Sequence, residues 1–180
     1  MNRRPLLFAL SGAGVVIALG TIAVLVGHED RPKPDPHLTG AALMATALPD
    51  TDGRRQSFAQ WQGKVLVLNF WATWCGPCKE ELPMLARLAP ELAKDGVQVI
   101  GIAADSRQNV ANFVQKVPIS YPSLIGDAGA IELSIRLGNR LGALPFTVFV
   151  DRKGDVVYRK VGKVDEEEVV KMSSIAAKNQ

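Results

Sequence analysis

Seven residues, Val65–Trp71 (VLVLNFW), form an almost unbroken apolar run, and four positions later the chain reads Cys75-Gly76-Pro77-Cys78. A run of that length and character fits a strand covered on both faces. Beyond the cysteines Leu82, Leu85, Leu88 and Leu92 recur at three- to four-residue spacing, the pattern of a helix with one apolar stripe. Pro83 lies inside that helix and predicts a kink. Asp95-Gly96 ends it. A buried strand feeding straight into a helix confines the chain to an α/β architecture and sets Cys75 at the helix N-terminus.

The flanking sequence extends the alternation. Leu43–Leu48 and Gln56–Phe58 border a Pro-Asp-Thr-Asp-Gly turn and predict a short N-terminal hairpin. Val97–Ala104 (VQVIGIAA) reads as a second buried strand. Arg107–Lys116 reads as a helix with Val110, Phe113, Val114 and Val117 on its apolar side. Tyr121–Ile125 is a short strand and Gly129–Leu137 a further helix. Pro145–Val150 and Val156–Val161 flank Arg-Lys-Gly-Asp, a hairpin turn. Asp165 caps a last helix whose Glu166, Glu167 and Glu168 complement its dipole. Strands alternating with helices and closing on a hairpin make a mixed sheet.

The N-terminus bears on compartment. No charged residue falls from Pro5 to Gly27, a run of 23 positions. As a helix rising about 1.5 Å per residue it spans roughly 35 Å, against a hydrocarbon core about 30 Å thick. Arg3 and Arg4 precede it and favour a cytoplasmic N-terminus, leaving the remainder exported. A cleaved signal peptide competes, with a small-x-small site at Ala18–Gly20. Cleavage there leaves Thr21–Gly27 as an apolar stub, so an uncleaved anchor over residues 1–27 is the preferred reading. The paired arginines also fit a twin-arginine signal. Residues 28–40 carry Pro32, Pro34 and Pro36 and read as a semi-rigid spacer, which assigns residues 41–180 to one domain.

Composition narrows the function classes. The 180-residue chain is 47% hydrophobic and 22% charged, which excludes a disordered protein. Its 21 Lys+Arg and 18 Asp+Glu give a scattered net charge of +3, which argues against nucleic-acid binding. With Cys75 and Cys78 its only cysteines, a disulfide-stapled mini-protein and a Cys₄ zinc site are excluded. A Cys₂His₂ site needs both His28 and His37 from the spacer, so no metal and no cofactor is expected.

The cysteine pair itself suggests disulfide exchange. At a helix N-terminus, unpaired N–H groups and the macrodipole favour an anion, and the thiolate is the nucleophile of sulfur chemistry. Cys78 lies one turn deeper on the same face. Cys75 can therefore attack a disulfide and Cys78 resolve the mixed disulfide. A permanent structural disulfide, a metal site and an inert reduced pair remain alternatives. A loop of two intervening residues gives a structural bridge little to stabilise.

The segment NFWATWCGPCKEELP resembles the active-site segment of the thioredoxin superfamily, and more narrowly that of TlpA/ResA-like membrane-anchored thiol-disulfide oxidoreductases. The resemblance covers about residues 41–180. It implies a thioredoxin-like fold, a central mixed sheet flanked by helices, with GIAADSRQNVANFVQKVPISYPSLIGD as a helix–strand insertion. It implies that Pro145 is a cis-proline facing the cysteines, that Leu144 offers its backbone to substrate, and that Trp74 forms a wall beside Cys75. Thioredoxin carries an aspartate six residues before its first cysteine, whereas this chain has Asn69, which does not ionise. TlpA-like members place a glutamate after the second cysteine, a place Glu81 matches. There it implies a proton acceptor for Cys78.

Gly-Pro between the cysteines is thioredoxin's dipeptide, at about −270 mV, whereas DsbA lies near −120 mV. The expectation is a reductant of protein disulfides, with a membrane thiol reductase as electron donor. The resemblance implies substrates in apocytochrome c maturation or copper-site assembly and a single-pass place in the bacterial cytoplasmic membrane, the soluble domain in the periplasm or exterior. Two other classes stay open. Reduced Cys75 and Cys78 suit a Cu(I)-binding module, although the nearest methionine is Met84. A peroxiredoxin-like peroxidase opens similarly, but its Pro-x-x-x-Thr/Ser-x-x-Cys pattern does not occur.

Overall fold

A computed structural model describes residues 38–179; the anchor expected at 1–27 and most of the spacer expected at 28–40 lie outside it. Val65–Trp71 forms the central strand β3. The full order is α1 Gly40–Met44, β1 Ala47–Pro49, β2 Arg55–Ser57, a 3-10 turn Phe58–Trp61, β3, α2 Gly76–Lys94, β4 Val97–Ala103, α3 Arg107–Val114, β5 Ser123–Ile125, α4 Ala128–Arg136, β6 Phe146–Val150, β7 Val156–Val161 and α5 Glu166–Lys178.

Five strands make one sheet in the order β5-β4-β3-β6-β7. β3 runs parallel to β4 and antiparallel to β6, and β4 runs parallel to β5. β1 and β2 form a separate antiparallel hairpin. Alternation along β3 builds two core layers. Val65, Val67 and Trp71 join Leu82, Leu85 and Leu92 of α2 and Val169 of α5. Leu66, Leu68 and Phe70 join Phe58, Trp61 and Leu133 on the opposite face. Every residue of β3 is buried, which is why that strand shows no polar side in sequence.

Local chemistry accounts for the element ends. Cys75, Ser106 and Asp165 cap α2, α3 and α5 by accepting from backbone N–H groups three residues on. α2 runs on through Pro83 and Pro90, both on its exposed side. Pro90 has no N–H for the Ala86 carbonyl, and the Ser120 hydroxyl donates to that carbonyl instead.

Several sequence boundaries shift by one or two residues, Phe58 among them, which opens the 3-10 turn rather than ending the hairpin; three shifts matter more. Leu43 and Met44, expected in the hairpin, belong to α1, where Leu43 is buried. Tyr121 and Pro122 precede β5 rather than belonging to it. Leu38, Thr39 and Gly40, expected in the spacer, pack with the body. Leu38 is buried and its N–H donates to the Arg136 carbonyl, Thr39 caps α1, and Gly40 begins it. Gly40 also explains itself: a Cβ there would stand 2.7 Å from the Gly154 carbonyl oxygen.

Candidate active site

β3 ends at Trp71, and the loop Ala72–Trp74 delivers Cys75 to the N-cap of α2. Cys75 Sγ accepts the Cys78 backbone N–H at 3.3 Å. The two sulfurs are joined as a disulfide with Cα atoms 5.3 Å apart. Cys75 is buried to within 6% of its surface and Cys78 completely. The N–H bond to Cys75 Sγ is the arrangement that stabilises a thiolate once the bridge opens. The more accessible sulfur is thus the one whose charge the helix end supports.

One turn along α2, Glu81 is 98% buried beneath the same face. Asn69 Nδ2 donates to Glu81 Oε1 at 2.7 Å and to Thr147 Oγ1 at 3.0 Å. The Val164 N–H donates to Glu81 Oε2 at 3.0 Å. Burial pushes the Glu81 carboxyl above its ordinary value, and the Asn69 and Val164 bonds and the Lys163 charge oppose this only in part. Lys163 itself pairs with Glu80 at 2.6 Å. Asn69, which does not ionise, therefore orients a carboxyl that does.

The loop ahead of Cys75 is held by Asp105 at the end of β4. Asp105 Oδ2 accepts the Thr73 N–H at 3.0 Å and the Thr73 hydroxyl at 2.5 Å. Its Oδ1 accepts the Ser106 N–H and Asn109 Nδ2, each at 2.8 Å. Burial pushes the Asp105 carboxyl up, but the bonds from Thr73, Asn109 and Ser106 outweigh it and hold the group below the ordinary carboxylate value. Asp105 thus ties the cysteine loop to the start of α3.

Leu144-Pro145 is a cis peptide. Phe146, the next residue, pairs with Phe70 of β3, so Pro145 stands at the end of β3 that leads to the cysteines. Leu144 packs against the core layer containing Cys75 and Cys78. The approach to Pro145 is fixed by buried Asn139, whose amide donates to the Ala143 carbonyl at 2.8 Å and accepts the Ala143 N–H at 3.1 Å. Trp74 is 68% exposed and Leu141, on the same approach, 90% exposed.

The structure thus places Cys75, Cys78 and Glu81 on one face of α2, and Trp74, Leu144 and Pro145 on the two loops bordering its N-terminus. It adds partners that sequence reasoning passed over. Val164 contributes only a backbone N–H, which no residue type signals. Asp105 had a signal, an Asp-Ser pair between a buried strand and a helix, which reads equally as a helix cap. Among the described residues no group of three or more potential metal ligands occurs.

The redoxin family model matches residues 36–177. A thiol-disulfide oxidoreductase ResA of Bacillus cereus is 32% identical over 121 residues, covering 67% of this chain and 68% of that protein. ResA of Bacillus subtilis (strain 168) is 29% identical over 172 residues, covering 92% and 90%. The crystal structure of a thioredoxin-related protein from Neisseria meningitidis serogroup B matches with a TM-score of 0.63 at 34% identity, covering 72% of this chain and 97% of that one. Matched over most of its length by one family model and by a ResA relative at 32% identity, the chain belongs to the redoxin family of the thioredoxin superfamily and is a ResA/TlpA-like thiol-disulfide oxidoreductase.

Proposed function

We propose that this oxidoreductase is a reductant of protein disulfides on the exported side of a bacterial cytoplasmic membrane, anchored by residues 1–27. Cys75 attacks the substrate disulfide as a thiolate. Cys78 then attacks Cys75 Sγ, the substrate leaves as a dithiol, and the Cys75–Cys78 bridge forms. Glu81 takes the Cys78 proton during resolution. Trp74, Leu144 and Pro145 border the substrate chain. Electrons return from a membrane thiol reductase, and the substrates are those of apocytochrome c maturation or copper-site assembly.

The observation that carries this reading is the burial of Glu81 on the face of Cys78, with its carboxyl pushed up. A structural bridge has no use for a buried proton acceptor one turn from its inner sulfur. Reductant character is supported by Gly76-Pro77, by the absence of histidine between the cysteines, and by the exposed position of Lys79. Cys75→Ala is expected to abolish exchange, while Cys78→Ala accumulates a mixed disulfide on Cys75 that mass spectrometry identifies. Full exchange activity in Cys78→Ala would overturn the two-cysteine mechanism.

A further inference from the structure

Behind Glu81 lies a row of polar groups that the exchange chemistry does not use. β-sheet register sets Ser123, Gly101, Asn69 and Thr147 side by side across β5, β4, β3 and β6. Asn69 belongs to the layer of Trp71 and Tyr121, beneath α2. In this layer Asn69 Oδ1, Trp71 Nε1, Tyr121 Oη and Ser123 Oγ are buried without a hydrogen-bond partner in the protein. Four such atoms in one layer cost far more than an apolar patch of the same size, unless something polar satisfies them.

Gly101 shows where two of them, Trp71 Nε1 and Ser123 Oγ, converge beside the Tyr121 ring. A Cβ on Gly101 would stand 3.1 Å from Trp71 Nε1, 3.2 Å from Ser123 Oγ and 3.2 Å from the Tyr121 ring. An indole donor and a hydroxyl thus crowd one point above a residue without a side chain. Tyr121 and Ser123 also line a cleft of about 350 Å³ at the β5 edge of the sheet, bordered by Trp61, Gln60 and Asp50. The cluster is therefore one side chain deep from solvent.

On the other side it reaches Glu81. Asn69 holds Glu81 through Nδ2, and its Oδ1 is buried without a partner. Burial and then the Glu81 charge both push the Tyr121 hydroxyl up, so that hydroxyl lies within the field of the carboxyl. Cys78 lies one turn before Glu81 on α2, and the charged or titratable groups acting on Glu81 are Lys163 before α5 and Tyr121 before β5, with Glu80 acting through Lys163.

We propose that Asn69, Trp71, Tyr121 and Ser123 bind buried water that carries the Glu81 proton to the cleft at the β5 edge. A buried water takes two to four polar partners, and the four orphaned atoms supply them. Resolution leaves the Cys78 proton on Glu81. That proton passes to the adjacent water, the next proton in the chain passes on, and one proton emerges at the cleft while Glu81 returns to carboxylate. No electron moves in this step. Neither Trp74 nor Pro145 lines that cleft.

This inference rests on Glu81 as the proton acceptor, and the test separates the two. In full-length reduced protein, the resolving step with oxidised glutathione is followed in single turnovers, in H₂O and D₂O, at several imidazole concentrations. Tyr121→Phe is expected to slow that step about tenfold, enlarge its solvent isotope effect, and make the rate rise with imidazole, which replaces the lost carrier. Ser123→Ala moves the same readouts in the same direction. Nuclear Overhauser transfer from water to the Trp71 indole N–H is expected in the wild type and is lost in Gly101→Ala. If Glu81→Gln slows resolution but Tyr121→Phe and Ser123→Ala match the wild type in rate, isotope effect and buffer dependence, the relay is wrong and the acceptor stands. If Glu81→Gln leaves resolution unchanged, the acceptor role fails and the relay falls with it.

Discussion

Asp105 stabilises the active loop through four hydrogen bonds from Thr73, Ser106 and Asn109. Asp105→Ala leaves the Thr73 N–H and hydroxyl without their acceptor. A lost charged partner of this kind costs about 1.5–3 kcal/mol, which a denaturant midpoint measures, and exchange activity is expected to fall with it. Glu81 has the opposite electrostatic character. Its folded carboxyl titrates above the ordinary 4.5, so folding favours the protonated form. The stability this contributes is complete below 4.5 and is lost as pH rises through the elevated folded value. Glu81→Gln lacks that titration. Its stability relative to wild type should therefore rise with pH across this window, and a flat difference would contradict the assignment. The cysteines were legible in sequence because their type and helical spacing signal them, and Glu81 through the resemblance to TlpA-like members. Val164 and the four orphaned polar atoms were not, since each depends on sheet register or on backbone.

At the scale of elements, α2 joins site and core. Its apolar stripe of Leu82, Leu85, Leu88 and Leu92 is buried against β3 and β4, while Cys78 and Glu81 continue the same face toward the site. Leu85 is fully buried, and Leu85→Ala is expected to cost about 2–5 kcal/mol. Thermal unfolding measures the loss, while the Cys75–Cys78 potential should move little. The strands β3 and β7 match their sequence boundaries because apolar runs and turns mark both ends. α1 escaped notice for a different reason. Five residues are too few for a helical period to show, and Leu43 is as apolar as a strand residue. Ser120 illustrates a third case. Its service to the Ala86 carbonyl follows from Pro90, thirty residues earlier, and only tertiary packing brings the two together.

At the scale of the molecule, the mixed sheet sets two loops of distant sequence side by side. Trp74 and Cys75 follow β3, Leu144 and Pro145 precede β6, and the antiparallel pairing of β3 with β6 brings these ends together. Nothing in the sequence signalled that pairing; the placing of Pro145 opposite the cysteines was expected from resemblance, not from any local signal near Pro145. The fold thereby presents one sulfur at a helix N-terminus and a second one turn behind it, over a buried carboxyl. These are the parts of a two-step exchange, and the proposed direction of electron flow, from protein to substrate, rests on the Gly-Pro dipeptide between the cysteines. Equilibration of the Cys75–Cys78 couple against glutathione or dithiothreitol buffers tests this most directly. A reductant is expected at about −250 mV or below, on the scale where thioredoxin stands near −270 mV. A potential close to −120 mV would make the protein an oxidant and contradict the account.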